Sequence, residues 1–369
     1  MKATAAVLTA PKTIEVREIE LPPPGEGDVL IELKKATLCP TDIKKYNADK
    51  PDVASALRDI GPYVLGHEAA GVILEVGAGV TSVKPGELVA VQPMIACGHC
   101  HYCKQDKTNM CLNLLGIGAS AGSFTDCVKY YNETGVGGCY ATHLKAPQQC
   151  VIKLPKGLSL EAASLTEPLG DVIHSVDAAH TGPGDVVVII GMGPMGLMHI
   201  PAARYNGATE IICVDIDDAR LAVANKLGAK HTVNSAAEDP IARVKELTDD
   251  IGADKIFVTS GGRAQLLCAE QALKMAAKQG TVSLFASAAL DADTLALSMN
   301  HIHYSMLNLT GTVGFGRQHG EKALEMLASG ILDYTVIRNK ELPLSQIEEA
   351  INLYGKGENL KVGLDLTTG

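Results

Sequence analysis

The chain has 369 residues, 46% of them hydrophobic, and a formal net charge of −10. It is long enough for two domains with sizeable cores, and the acidic balance argues against a nucleic-acid-binding surface. No apolar run reaches membrane-spanning length, and the start, MKATAAVLTAPK, lacks the h-region and cleavage site of a signal peptide, so a cytoplasmic protein without membrane partners is expected. Ten cysteines in such a compartment point to metal binding or catalysis before disulfides.

Residues 1–35 alternate short strand patterns with a turn: Ala5–Leu8, Ile14–Ile19, the break LPPPGEGD, then Val29–Leu33. Next come Cys39-Pro40-Thr41-Asp42 and Gly66-His67-Glu68, the latter leading into a strand at Val72–Val76. Alone, one cysteine and one histidine at this distance are more often structural than functional. The stretch Cys97-x2-Cys100-x2-Cys103-x7-Cys111 is far sharper. Four thiolates at this spacing can enclose a tetrahedral zinc with no open position, which makes the site structural. The loop around them is polar, so the metal itself should order it. A redox role for the CxxC pairs needs fewer cysteines than are present, and His99 or His101 could replace a ligand, but a four-cysteine site is simpler. Residues 117–140 are rich in Gly, Ser and Asn and carry Phe124, Tyr130 and Tyr131. They read either as a surface insertion or as a lid that shapes a substrate pocket.

From Leu158 the pattern turns helical and leads into Thr166-Glu167-Pro168-Leu169-Gly170. Val186–Ile190 is an unbroken apolar run, as expected of a strand buried on both faces of a parallel sheet. Gly191, Gly193 and Gly196 follow as G-x-G-x-x-G, with Pro194 and Met195 opening a helical pattern. Here the first glycine allows the turn, the second lets backbone approach a pyrophosphate, and the third lets helix and sheet pack closely. The second strand, Glu210–Val214, ends at Asp215, 19 residues past the third glycine. A carboxylate there accepts hydrogen bonds from the adenosine ribose and repels a 2′-phosphate, so NAD is expected rather than NADP. Pro201 falls inside the expected helix and predicts a kink or an early end. Further strands are expected at His231–Val233, Lys255–Thr259, Gly280–Ala286 and Asn308–Val313. His301, His303 and His319 lack motif context and are read as structural or surface residues.

Cys39 with Thr41 and Asp42, the Gly66-His67-Glu68 box, the four-cysteine lobe and the glycine fingerprint, in this order over nearly the whole chain, resemble the zinc-containing medium-chain alcohol dehydrogenase family. Glu167 is similar to the sorbitol (polyol) and threonine dehydrogenase branch; other alcohol dehydrogenases of the family carry a cysteine there. The resemblance implies an α/β protein: a GroES-like, mainly β catalytic domain over 1–157, with the zinc lobe at about 95–113, a doubly wound parallel-sheet Rossmann coenzyme domain over 158–314, and a return to the catalytic domain over 315–369. It implies a catalytic zinc on Cys39 and His67 with Glu68 or Glu167 as the direct carboxylate ligand, and a structural zinc on Cys97, Cys100, Cys103 and Cys111. Asp42 would orient His67, and Thr41 would pass the substrate's proton outward. A three-ligand zinc lowers the pKa of a bound hydroxyl group, after which hydride passes to NAD. The implied substrate is a small alcohol, a secondary carbinol of a polyol or sugar derivative, with a threonine-like amino alcohol or simple secondary alcohol as alternatives. Arg220 stands either near the adenosine or on a solvated helix face. The final strand is where such domains commonly pair, so a homodimer or homotetramer is expected. Two positions depart from the pattern: Lys44 replaces a histidine that completes the proton relay in many relatives, and Pro40 replaces a glycine.

Overall fold

The computed structural model describes residues 1–357 and 359–367 and divides into two compact units. The first comprises 1–170, 314–328 and 337–369; the second comprises 171–313 and 329–336.

The first unit is built on a seven-stranded sheet whose central member, Asp28–Thr37, pairs antiparallel with Glu68–Val76, His143–Pro147 and Lys361–Asp365. Leu88–Val91 and Val151–Lys153 extend one side, and Arg338–Pro343 lies beyond Lys361–Asp365. A three-stranded sheet of Thr13–Glu20, Lys2–Ala10 and Tyr63–Val64 completes the β architecture around a core that includes Val29, Ile31, Leu33, Tyr63 and Tyr140. Helix α1 (Pro40–Tyr46) begins immediately after the central strand, with Cys39 at its N-cap. Pro40 takes the first helical position, where its fixed φ suits the helix and its missing N–H leaves no bond unmade. Helix α2 (Pro51–Asp59) follows.

The 117–140 segment is not a free surface loop. It folds into helix α3 (Phe124–Thr134), capped by the Ser123 hydroxyl and closed by Gly135 at φ +78°. Phe124, Cys127 and Val128 turn inward, and Tyr63 packs edge-on against Phe124 and Tyr131 at 5.5 Å each. Helices α4 (Leu160–Ala163) and α5 (Thr166–Ala178) come next, and α5 carries Glu167 in its first turn.

The second unit is a six-stranded, wholly parallel sheet. Its spatial order is His231–Asn234, Glu210–Asp215, Val186–Ile190, Ala253–Val258, Ala276–Leu284, Asn308–Gly311, so it reverses direction beside Val186–Ile190, as a doubly wound nucleotide-binding sheet does. Strand interiors such as Val188, Ile190, Ile212, Val214 and Ile256 are buried. Helix α6 (Pro194–Tyr205) does not end at Pro201 but runs on to Tyr205. Pro201 is buried, and packing of this nearly all-apolar helix offsets the one lost backbone bond. Helix α7 (Asp218–Leu227) is capped by Asp217 and ends at Gly228 with φ +101°.

Candidate active site

Asp42, at the third position of α1, is almost wholly buried and organises the surrounding groups. Its Oδ2 accepts the Tyr140 hydroxyl at 2.7 Å and the Cys39 N–H at 3.3 Å; its Oδ1 accepts the Gly66 N–H at 3.2 Å. Gly66 has φ +93°, and a Cβ there would stand 2.4 Å from the Tyr140 ring, so only glycine lets chain and ring meet at this point. The remaining side of Oδ1 faces His67 Nδ1 at 3.3 Å. Burial opposes charge on Asp42, yet His67, Lys45 and the Tyr140 hydroxyl outweigh it and hold its pKa below the ordinary carboxyl value.

With Nδ1 turned to Asp42, the other ring nitrogen, Nε2, lies 3.9 Å from Glu167 Oε1. Cys39 Sγ, a His67 nitrogen and a Glu68 oxygen all lie within 4.8 Å of one another. Burial works against a proton on His67, but Asp42 and Cys39 outweigh it and raise the imidazole's pKa well above its usual value. A buried histidine so placed among a thiol and acids sits in a pocket that stabilises positive charge, and its soft-plus-hard donors suit zinc.

Glu68 has a second engagement. Both its oxygens are bonded by the Lys361 ammonium, and Oε2 also accepts the Thr37 hydroxyl. Lys361 additionally donates to the Leu38 carbonyl at 2.9 Å, and it is 1% exposed, so the pair is a dry ion pair with its hydrogen bonds satisfied. Burial would lower the lysine's pKa, and Glu68 and its neighbours raise it instead.

In the lobe, Cys97, Cys100, Cys103 and Cys111 bring four sulfurs within 4.8 Å of one another, and all are free thiols. Cys100 stands 3.5 Å from Cys103 and 3.9 Å from Cys111. The sulfur–sulfur edge of a tetrahedral zinc site is about 3.8 Å, from a Zn–S bond of about 2.3 Å. Backbone N–H groups of Cys103 and Leu112 hold the Cys100 pKa down to about 6, while burial and the neighbouring sulfur push Cys103 up to about 12.

In the second unit, Gly191 adopts φ +101°, and a Cβ on Gly196 would lie 1.8 Å from the Gly191 carbonyl oxygen. A Cβ on Gly193 would meet nothing within 4 Å: the space before the N-terminus of α6 is open, with no side chain capping its first N–H groups. Asp215 accepts N–H groups from Met192, Ile216 and Asp217, which fixes the carboxylate at the strand's end. The loop thus fits a dinucleotide.

Residues 25–156 match the alcohol dehydrogenase GroES-like domain, and residues 194–329 match the zinc-binding dehydrogenase domain. The chain is 31% identical to sorbitol dehydrogenase of Bacillus subtilis over 360 residues, covering 97% of this chain and 96% of that protein. It is 32% identical to L-threonine 3-dehydrogenase of Bacillus licheniformis over 348 residues, covering 94% and 93%. The chain belongs to the zinc-containing medium-chain alcohol dehydrogenase family. Among solved structures it resembles alcohol dehydrogenase TADH from Thermus sp. ATN1, with a TM-score of 0.84 and 30% identity over 98% of this chain and 99% of that one. This family member is accordingly an oxidoreductase, and among its described residues no helix is long and apolar enough to cross a membrane.

The structure gathers Cys39, Asp42, His67, Glu68 and Glu167, with Thr41 half-buried on the same helix. Lys44 is exposed, and Lys45 is the lysine of α1 that feels Asp42 and Cys39. Arg220 is half-exposed, and its Nε lies 3.8 Å from Asp217 Oδ2. Lys361 and Tyr140 are absent from the sequence reading. The signal for Lys361 is a lysine inside the apolar strand pattern LKVGLDL.

Proposed function

We propose that the protein oxidises a secondary carbinol of a polyol or sugar derivative to a ketone, with NAD as hydride acceptor. The observation that carries this reading is the donor set of half-buried Cys39 with buried His67, Glu68 and Glu167, and Asp42 behind the imidazole. Cys39, His67 and Glu167 would hold the catalytic zinc, because the Glu68 oxygens are already engaged by Lys361 and Thr37. A zinc ion bound there would supply Lewis acidity to the substrate hydroxyl. Asp42 Oδ1, 3.3 Å from His67 Nδ1, would serve as the acceptor on that side of the ring and leave the Nε2 lone pair directed at the donor set. Thr41 receives the hydroxyl proton and relays it outward, and exposed Lys44, one turn along α1, stands at the solvent end of that route. Gly191, Gly193, Gly196 and the Pro194–Met195 turn of α6 would seat the pyrophosphate, Asp215 the ribose, and Arg220 the adenosine edge. NAD supplies the hydride acceptor.

Cys97, Cys100, Cys103 and Cys111 would hold a second, structural zinc. A glutamate at 167 in place of another thiolate makes the donor set more hydrophilic, which favours substrates bearing several hydroxyls. A threonine-like amino alcohol is the second reading, supported by the threonine dehydrogenases among the relatives. The test joins metal analysis, expected at about two zinc ions per chain, to kcat/KM for short polyols, threonine, and primary and secondary monoalcohols with NAD and NADP. A tenfold advantage for unsubstituted primary alcohols, or for NADP, would sink the corresponding part of the reading.

A further inference from the structure

Each carboxylate oxygen of Asp42 has two neighbours. Oδ1 meets the Gly66 N–H at 3.2 Å and His67 Nδ1 at 3.3 Å; Oδ2 meets the Cys39 N–H at 3.3 Å and the Tyr140 hydroxyl at 2.7 Å. Three of these groups belong to the donor set itself, being Cys39, His67 and the residue before His67. The fourth contact is the shortest and comes from elsewhere, since Tyr140 lies 98 residues from Asp42 in the chain.

The backbone holds Tyr140 in place. Its N–H donates to the Leu65 carbonyl at 2.9 Å, its carbonyl accepts the Ala6 N–H at 2.8 Å, and the Cys139 N–H donates to the Gly66 carbonyl at 2.8 Å. The ring is fully buried against Gly66, where a Cβ would stand 2.4 Å from it. The hydroxyl therefore has a fixed position beside residues 65–67, set by bonds other than the one it makes to Asp42. The Asp42 carboxylate has no such anchor of its own, because the last torsion of an aspartate is broad. The N–H bonds from Gly66 and Cys39 are longer than the usual N–H···O distance of about 2.9–3.0 Å. The Tyr140 bond, in contrast, has the length of a charge-assisted O–H···O bond, about 2.5–2.7 Å. A phenol oxygen is costly to bury unless it is hydrogen-bonded, and phenylalanine would fill the same space without that demand. What the hydroxyl adds to the site is its bond to Asp42.

We propose that Tyr140 is a positioning residue for the catalytic zinc. Its hydroxyl sets the plane of the Asp42 carboxylate, which keeps Oδ1 on His67 Nδ1 and leaves Nε2 turned towards Glu167. This rests on the zinc site proposed above. A ligand imidazole free to rock must be realigned at every binding event, so an anchored carboxylate behind it strengthens the hold on the metal.

Tyr140→Phe removes the hydroxyl and keeps the ring. Release of zinc to a chelator is followed in the wild type, in Tyr140→Phe, in Asp42→Ala and in the double variant, with the zinc of the four-cysteine lobe as internal reference. Should Asp42→Ala not fold, Asp42→Leu takes its place. Tyr140→Phe should release the catalytic zinc about three- to tenfold faster and leave the lobe zinc unchanged. In the Asp42→Ala background the same change should have almost no effect, because the hydroxyl acts only through the carboxylate. Turnover of a polyol with NAD should show a lower kcat at nearly unchanged KM. Zinc held by Tyr140→Phe as firmly as by the wild type or more so, or an equal loss in both backgrounds, overturns the proposal. A wild type without zinc at the donor set overturns the underlying site and this proposal together. A zinc-loaded wild type that oxidises no alcohol overturns the proposed reaction alone, since zinc release still reports on Tyr140.

Discussion

Asp42 holds four partners with two oxygens, and that arrangement fixes which nitrogen of His67 is free. Asp42→Asn keeps an acceptor but loses the charge that favours the correct tautomer. It should lower kcat/KM and zinc affinity by about 10–100-fold while Tm changes little; loss of Tm without loss of zinc would show a merely structural role. His199 is a different kind of histidine. It is fully buried in α6 between the rings of Phe257 and Phe285, its Nδ1 bonds the Met195 carbonyl at 2.8 Å, and its Nε2 is buried without a partner. Burial lowers its pKa from 6.5 to about 4, with the Met195 carbonyl opposing only in part. Above the unfolded value of 6.5 both states are neutral and stability is undiminished. As pH falls from 6.5 towards 4 the unfolded chain takes up a proton that the folded one refuses, and up to about 3 kcal/mol is lost. Melting curves over that window should fall in the wild type and flatten in His199→Leu. Neither this burial nor the Lys361–Glu68 pair could be read locally, since the pair joins residues 293 apart in sequence. Cys39, His67 and Glu167, in contrast, do come close together around the imidazole, as the family resemblance implied, although neither their spacing nor their type marked them in the sequence alone.

At the scale of elements, the fingerprint glycines separate two demands that sequence alone superimposes. A methyl at Gly196 would lie 1.8 Å from backbone, whereas one at Gly193 would enter open space. Gly196→Ala should therefore lower the stability of the coenzyme unit by about 1–3 kcal/mol. Gly193→Ala should melt like the wild type yet bind NADH at least tenfold more weakly; equal NADH affinity in that variant would remove the loop from the coenzyme site. The parallel strands were legible because their interiors are unbroken apolar runs, and Val186–Ile190 falls where the pattern puts it. In two places tertiary packing overrides local preference. Pro201 does not end α6, and the Gly-, Ser- and Asn-rich 117–140 segment contains a capped helix whose Phe124, Cys127 and Val128 enter the core.

For the whole molecule, the six-stranded sheet leaves Asn308–Gly311 as an edge strand, and Met299, Tyr304, Met306 and Val313 around it are exposed. An unpaired edge flanked by large apolar side chains is a surface that solitary chains rarely keep. The expected assembly is a homo-oligomer joined there, and Tyr304→Glu with Met306→Glu should reduce its mass in light scattering without loss of NADH binding. An unchanged mass would place the contact elsewhere. The catalytic unit, meanwhile, is assembled from three separate stretches of chain, and Lys361–Asp365 sits beside the central strand Asp28–Thr37. Protein synthesis delivers these parts in a fixed order. Cys39, His67 and Glu68 leave the ribosome early, but the lysine that neutralises Glu68 arrives only after the entire coenzyme unit has been made. Until then Glu68 lacks its counter-charge and the sheet lacks an inner strand. A growing chain can fold its nucleotide-binding half while its chemical half is still waiting, so the ability to oxidise substrate is among the last properties the newborn polypeptide acquires.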